Sequence, residues 1–149
     1  MATESMNNKA ATKLLPVVSY LQVPDSGEPY LQGLKCTQCG AVYIDERKHC
    51  AKCGARDALQ EYRLSNTGSV HAFTIVERSY PGIPVPFVSV IVDLEGGGTL
   101  KGNLNGVDTS DRSRLNKPMQ VTVNYEKAPW GDEAGNEYML FNFKPAAGE

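Results

Sequence analysis

Four cysteines in two matched pairs constrain this chain more than any other feature. They read Cys36-Thr37-Gln38-Cys39-Gly40 and Cys50-Ala51-Lys52-Cys53-Gly54, with ten residues between the pairs. Two intervening residues let a tight turn aim both sulfurs of a pair at one point. The glycine that follows lets the backbone bend away without a Cβ clash. Two such knuckles on facing hairpins complete a tetrahedral set of thiolates from Cys36, Cys39, Cys50 and Cys53. Four protein ligands leave no position for water, so the expected ion is structural rather than catalytic. Zinc is the expected ion, although tetrahedral sulfur sites accept iron and spacing alone does not separate the two.

The competing readings of the cysteines depend on compartment. The N-terminal stretch MATESMNNKAATKLLPVV lacks the continuous apolar segment of a secretory signal, and no run of about twenty apolar residues occurs anywhere. A cytoplasmic, reducing location is the expectation, and disulfides are disfavoured there. A thioredoxin-like redox site needs one Cys-x-x-Cys opening a helix in a βαβ setting, whereas here two occur together without it. His49, beside Cys50, is read as a solvent-facing loop residue because the quartet is already full.

The rest of the chain divides by pattern. Residues 1–30 are expected to form a flexible or extended arm, polar to about residue 12. Beyond that the arm is apolar but broken by Pro16, Pro24 and Pro29. Its apolar residues must be covered, either by their own domain or by a partner. Residues 31–62 form the metal ribbon, whose sparse apolar content makes the ion a main source of folding energy. Residues 63–149 turn to repeated strands. Val70–Val76, Phe87–Leu94 (FVSVIVDL), Thr99–Leu104, Met119–Tyr125 and Glu137–Phe143 all carry β-rich patterns. The run Gly96-Gly97-Gly98 predicts a hairpin turn, and Glu126–Asn136 a polar turn region containing Trp130. Five strands with glycine-rich bends and no clear helix fit a mainly β fold. A rubredoxin-like zinc ribbon followed by a five-stranded OB-fold barrel is favoured over an SH3-like barrel.

Other motifs do not survive inspection. Gly96–Gly98 is followed by a strand, whereas a phosphate loop needs a helix N-terminus. His71, Ser79 and Asp93 make a nucleophilic triad on paper only, because no nucleophile motif surrounds the serine. The carboxylates form no close pair in an apolar setting, so a glycosidase-type pair has no support. Lys48, Lys52, Arg56 and Arg63 are diluted by Asp45, Glu46, Asp57 and Glu61, while Arg112, Arg114 and Lys117 form a second basic cluster. Solvated surface is the favoured reading of both clusters, with anion binding second. Trp130 reads equally well as an anchor for a partner or as the closure of its own hairpin.

The order of motifs resembles a known family. Leu34-Lys35-Cys36-Thr37-Gln38-Cys39-Gly40 and Cys50-Ala51-Lys52-Cys53-Gly54 are followed by Gly68-Ser69-Val70-His71-Ala72-Phe73-Thr74-Ile75-Val76. Next comes the proline-led strand Pro86-Phe87-Val88-Ser89-Val90-Ile91-Val92-Asp93-Leu94, and the pattern ends in Phe143-Lys144-Pro145. Together these resemble the zinc-ribbon, OB-fold, acyl-CoA-associated family, domain-of-unknown-function family thirty-five. Members accompany thiolase-like or other acyl-CoA enzymes as small or bridging subunits. Short stand-alone members serve thiolases of anaerobic aromatic degradation, and this chain is similar to them in size and layout. Many members begin with a helical hairpin bearing a Phe-Trp pair, which this sequence lacks.

The resemblance implies a non-catalytic subunit of a hetero-oligomer that makes or breaks a carbon–carbon bond next to a CoA thioester. Acyl-CoA would then lie at the interface with the thiolase-like catalytic partner. Tyr80-Pro81-Gly82-Ile83-Pro84-Val85-Pro86-Phe87 is the favoured docking element, its prolines lowering the ordering cost of binding. The alternative is a nucleic-acid-binding ribbon and barrel. A formal net charge of −2 and the lack of a basic, aromatic strand face weigh against it. No membrane association is expected.

Overall fold

The computed structural model describes residues 13–146. The expectation for residues 1–12 lies outside them. Ten strands and one helical turn follow in chain order. They are β1 (Leu14–Pro16), β2 (Leu21–Gln22), β3 (Tyr30–Cys36), β4 (Val42–Tyr43), β5 (Leu59–Arg63), β6 (Thr67–Val76), β7 (Phe87–Leu94), β8 (Thr99–Leu104), α1 (Arg112–Leu115), β9 (Gln120–Gly131) and β10 (Glu137–Pro145).

Strands β6 to β10 close on themselves. The order is β10-β8-β7-β6-β9, and β9 pairs again with β10. Strand β8 meets β10 in parallel at Leu104 and Phe143, while every other neighbour around the barrel is antiparallel. A three-stranded meander closed through a parallel contact with the last strand is the OB-fold topology, so the SH3-like alternative falls away.

The alternation that marked β7 sets its two faces. Val88, Val90, Val92 and Leu94 point inward and are buried, while Phe87, Ser89, Ile91 and Asp93 point outward. Leu100, Leu104, Met119, Val121, Val123 and Phe143 complete the barrel interior.

Two expectations are corrected. The polar turn expected over Glu126–Asn136 is much shorter, because β9 runs on to Gly131 and pairs with β10 as far as Glu137. An ion pair from Lys127 to Glu137 (3.0 Å) and the packing of Trp130 on Tyr138 (5.3 Å between centroids) hold that extension. Trp130 therefore braces its own hairpin while remaining 52% exposed. The basic loop expected around Arg112 and Arg114 contains α1, capped by the Asp111 carboxylate, which accepts from the Ser113 N–H.

The ribbon is built on β3, which pairs with β2, β4 and β5. Gly33 in β3 lies so close to the Tyr43 carbonyl that no side chain fits there. The segment before the ribbon folds back onto its own chain. Strand β1 adds in parallel to β10, Leu21 is fully buried, and Tyr20 meets Phe141 edge-on. Ribbon and barrel meet at the β7–β8 turn, where Gly97 and Gly98 pack on Val42, Ile44 and Leu64. No helix among the described residues is long and apolar enough to cross a membrane.

Candidate metal centre and outer sheet face

The two cysteine pairs fold as near-copies of one knuckle. Gly40 N–H donates to the Cys36 carbonyl and Gly54 N–H to the Cys50 carbonyl, both at 2.9 Å. Cys36 N–H reaches Ala41 O at 2.8 Å, and Cys50 N–H reaches Ala55 O at 3.0 Å. Gly40 and Gly54 both hold positive φ, as the repeated Cys-Gly step requires. Facing each other, the knuckles bring all four sulfurs within 4.8 Å of one another.

The sulfur spacings test whether an ion fits. A tetrahedral ion with metal–sulfur bonds of about 2.3 Å sets its sulfurs about 3.8 Å apart. Cys36 Sγ lies 3.8 Å from Cys53 Sγ, and Cys39 Sγ lies 3.5 Å from Cys50 Sγ. These separations are far beyond a disulfide bond and close to the edge of a metal tetrahedron.

The electrostatics agree with the geometry. The Tyr43 hydroxyl, followed by the backbone N–H of Cys53, pulls the Cys50 thiol down to about 5. Cys36 is also held below the ordinary thiol range, first by the N–H of Cys39. Cys53 moves the other way. The N–H of Ala55 lowers it, but desolvation and the three neighbouring sulfurs outweigh that and push it up to about 11. Repulsion among closely set sulfurs resists full ionisation until a cation offsets it. Three of the cysteines are buried or half-buried and Cys53 is exposed, while His49 stands outside the cluster in an isolated bridge to Arg56.

A second feature lies on the outside of the barrel. Cross-strand register sets Ala72 beside Ile91 and Ile91 beside Lys101, then Thr74 beside Ser89 and Ser89 beside Asn103. The Thr74–Ser89–Asn103 row carries short side chains, so it forms the floor of a trough. The trough continues into a cavity of about 640 Å³ walled by Val76, Ile83, Pro84 and Phe87. The loop that supplies Ile83 and Pro84 also exposes Tyr80 (81%) and Val85 (42%).

At the opposite end of this face, the β-bulge between Val70 and Ala72 turns His71 toward Asp93. His71 Nδ1 lies 2.8 Å from Asp93 Oδ2, and the Thr99 hydroxyl donates to Asp93 Oδ1 at 2.9 Å. Those bonds, Thr99 first, hold the Asp93 carboxyl below the usual range. Ser79 lies beyond the far end of β6, in the lining of the cavity, and takes no part. The paper triad is thus reduced to an exposed His–Asp pair.

Residues 61–124 match the family described as the C-terminal OB-fold domain of ChsH2. Most of the barrel is therefore similar to DUF35-type OB domains. A DUF35 domain-containing scaffold protein of Methanocaldococcus jannaschii is 27% identical over 117 residues, spanning 77% of this chain and 81% of the relative. Benzoylsuccinyl-CoA thiolase subunit BbsA of Geobacter metallireducens is 29% identical over 130 residues, spanning 83% and 86%. Among solved structures, the Ltp2-ChsH2(DUF35) aldolase superposes with a TM-score of 0.61 at 22% identity, covering 78% of this chain and 85% of that one. That likeness is one of fold.

Sequence reasoning missed Tyr43 and Arg47. Tyr43 Oη lies 3.3 Å from Cys50 Sγ, and the Arg47 guanidinium sits 3.9 Å above the Tyr43 ring. An aromatic residue between the two pairs, with arginine four positions on, was the available signal.

Proposed function

We propose that this chain is a non-catalytic scaffold subunit of a thiolase-like complex acting on acyl-CoA. In the more specific form of this reading, the complex is a benzoylsuccinyl-CoA thiolase of anaerobic aromatic degradation. The observation that carries it is a near full-length match to a thiolase subunit, in a chain whose barrel exposes an apolar face. Ile83 and Ile91 stand 46% and 39% exposed along one trough, and Val85 is 42% exposed in the same loop as Ile83, where a solvated face would carry polar side chains. Lys101 at the trough's edge and the Asn103 and Asn105 amides supply polar contacts beside the apolar wall, which suits a surface that helps enclose an acyl-CoA.

Cys36, Cys39, Cys50 and Cys53 hold a structural zinc ion in this reading, and the thiolate set suits a reducing cytoplasm. The zinc supplies no chemistry to the substrate. It cross-links the two knuckles and so fixes β3, which carries the rest of the ribbon. Because the quartet takes every cysteine of the chain, the nucleophile of a thiolase reaction belongs to the partner. The described part of the 1–30 arm, residues 13–30, serves as a strap, 31–62 as the ribbon and the strands from 63 onward as the barrel.

Co-expression with the thiolase-like chain encoded in the same genome tests this directly. The two chains should elute together in size-exclusion chromatography. Ile83→Asp with Ile91→Lys should abolish co-elution without lowering the melting temperature, since both side chains are exposed. Unchanged assembly of that double variant would remove the apolar face from the account.

A further inference from the structure

The two knuckles are matched in their backbone hydrogen bonds but not in their side chains. Among the described residues, only Cys50 receives a side-chain hydroxyl, from Tyr43 at 3.3 Å. The direction of that bond is fixed by a third group. The Lys52 backbone N–H donates to Tyr43 Oη at 3.1 Å, which leaves the phenol proton free to point at the sulfur. Above the ring, Arg47 stacks at 3.9 Å and is anchored by the Asp45 carboxylate, both of whose oxygens lie 3.0 Å from Nη2.

A divalent ion with four thiolates carries two net negative charges, and hydrogen bonds to the sulfurs are the protein's means of spreading them. A cation over a phenol ring withdraws electron density and strengthens the O–H as a donor. We infer that Tyr43, polarised by Arg47, is the outer-shell residue that sets the charge on the Cys50 thiolate and hence the affinity and electronic character of the metal centre. The arm runs from the protein surface at Asp45 through Arg47 and Tyr43 to one ligand. It makes the centre asymmetric, with Cys50 the weakest donor of the four.

This inference rests on the metal reading above, and the test separates the two. The full-length chain is loaded with cobalt(II), whose thiolate-to-metal charge-transfer bands report sulfur donor strength. A parallel iron-loaded sample reports the reduction potential. Tyr43→Phe should move the charge-transfer bands to longer wavelength and lower the iron potential, because an unbonded thiolate donates more strongly. Competition with a chromogenic chelator should show about ten-fold weaker metal affinity, the usual lower bound for losing an outer-shell partner.

Arg47→Gln should shift the same bands the same way by a smaller amount. It carries the test alone if Tyr43→Phe does not fold. Tyr138→Phe, which breaks a hydroxyl bond to Asp132 in the remote β9–β10 hairpin, should match the unmodified chain. Unshifted bands and potential in folded Tyr43→Phe, or in Arg47→Gln if that variant stands alone, would overturn the inference. An unmodified chain that takes up neither metal would overturn the metal reading itself.

Discussion

Gly97 offers a quantitative test of how the ribbon is joined to the barrel. Its φ is +115°, and a Cβ built there would lie 2.7 Å from Val42 Cγ2 and 2.9 Å from Val42 Cβ. Gly97→Ala therefore carries two separate penalties. The backbone term is about 1–2 kcal/mol, for an L-residue held where only glycine is comfortable. The overlap with β4 adds about 1–2 kcal/mol, in the range of a single overpacked contact. The sum is about 3 kcal/mol. In a chain of 149 residues, about 3 °C of melting temperature corresponds to 1 kcal/mol, so the variant should melt about 9 °C lower.

A second substitution separates the terms. Val42→Ala removes the methyl groups that the new Cβ would strike but leaves the backbone conformation alone. In the Val42→Ala background Gly97→Ala should then cost its backbone term and a smaller overlap, because the residue-42 Cβ at 2.9 Å remains. The double-mutant cycle, measured by urea unfolding of the metal-loaded protein, should give a coupling of about 1 kcal/mol. Strict additivity would refute the packing argument, and a Gly97→Ala protein as stable as the parent would refute both terms.

Three further outcomes follow from the same structure. Chelation of the metal should expose the amides of Cys36, Gly40, Cys50 and Gly54 to fast hydrogen exchange while those of Val88–Val92 stay protected. The knuckle cluster buries only Cys36, Cys50 and Ala58, whereas the barrel has its own core. Tyr125, which burial pushes up to about 12, should titrate late in absorbance at 295 nm, a component that Tyr125→Phe removes. Its raised value stabilises the fold fully below pH 10, and that stability is lost as pH climbs from 10 toward 12. Asn142→Ala should destabilise by about 1 kcal/mol in thermal melts, since it removes two hydrogen bonds of the buried amide, with Asn124 and Glu126 at 3.1 Å each, while those two still bond each other.

Much of this architecture was legible because it is written locally. Cys36 and Cys39 need only the residues between them to form a knuckle, and FVSVIVDL declares its buried face by alternation within eight residues. The features that escaped depend on long-range partners. Strand β9 continues through Pro129 and Trp130 because Glu137 and Tyr138 lie opposite, a relation invisible in a polar stretch read alone. His71 reaches Asp93 because a bulge re-aims it across a strand pair 22 residues apart in sequence. Tyr43 finds Cys50 only after the ribbon folds back on itself. The strand order, which settled the OB barrel, emerges from the single parallel contact of Leu104 with Phe143.

The proposed role of this chain is that of a scaffold on a thiolase-like partner. Native mass spectrometry of the chain co-purified from its own host tests it most directly. The expected species is a hetero-oligomer with a thiolase-like subunit, carrying one zinc ion per copy of this chain. A zinc-loaded, folded chain that flies alone, while its genome's thiolases assemble without it, would rule out the scaffold role.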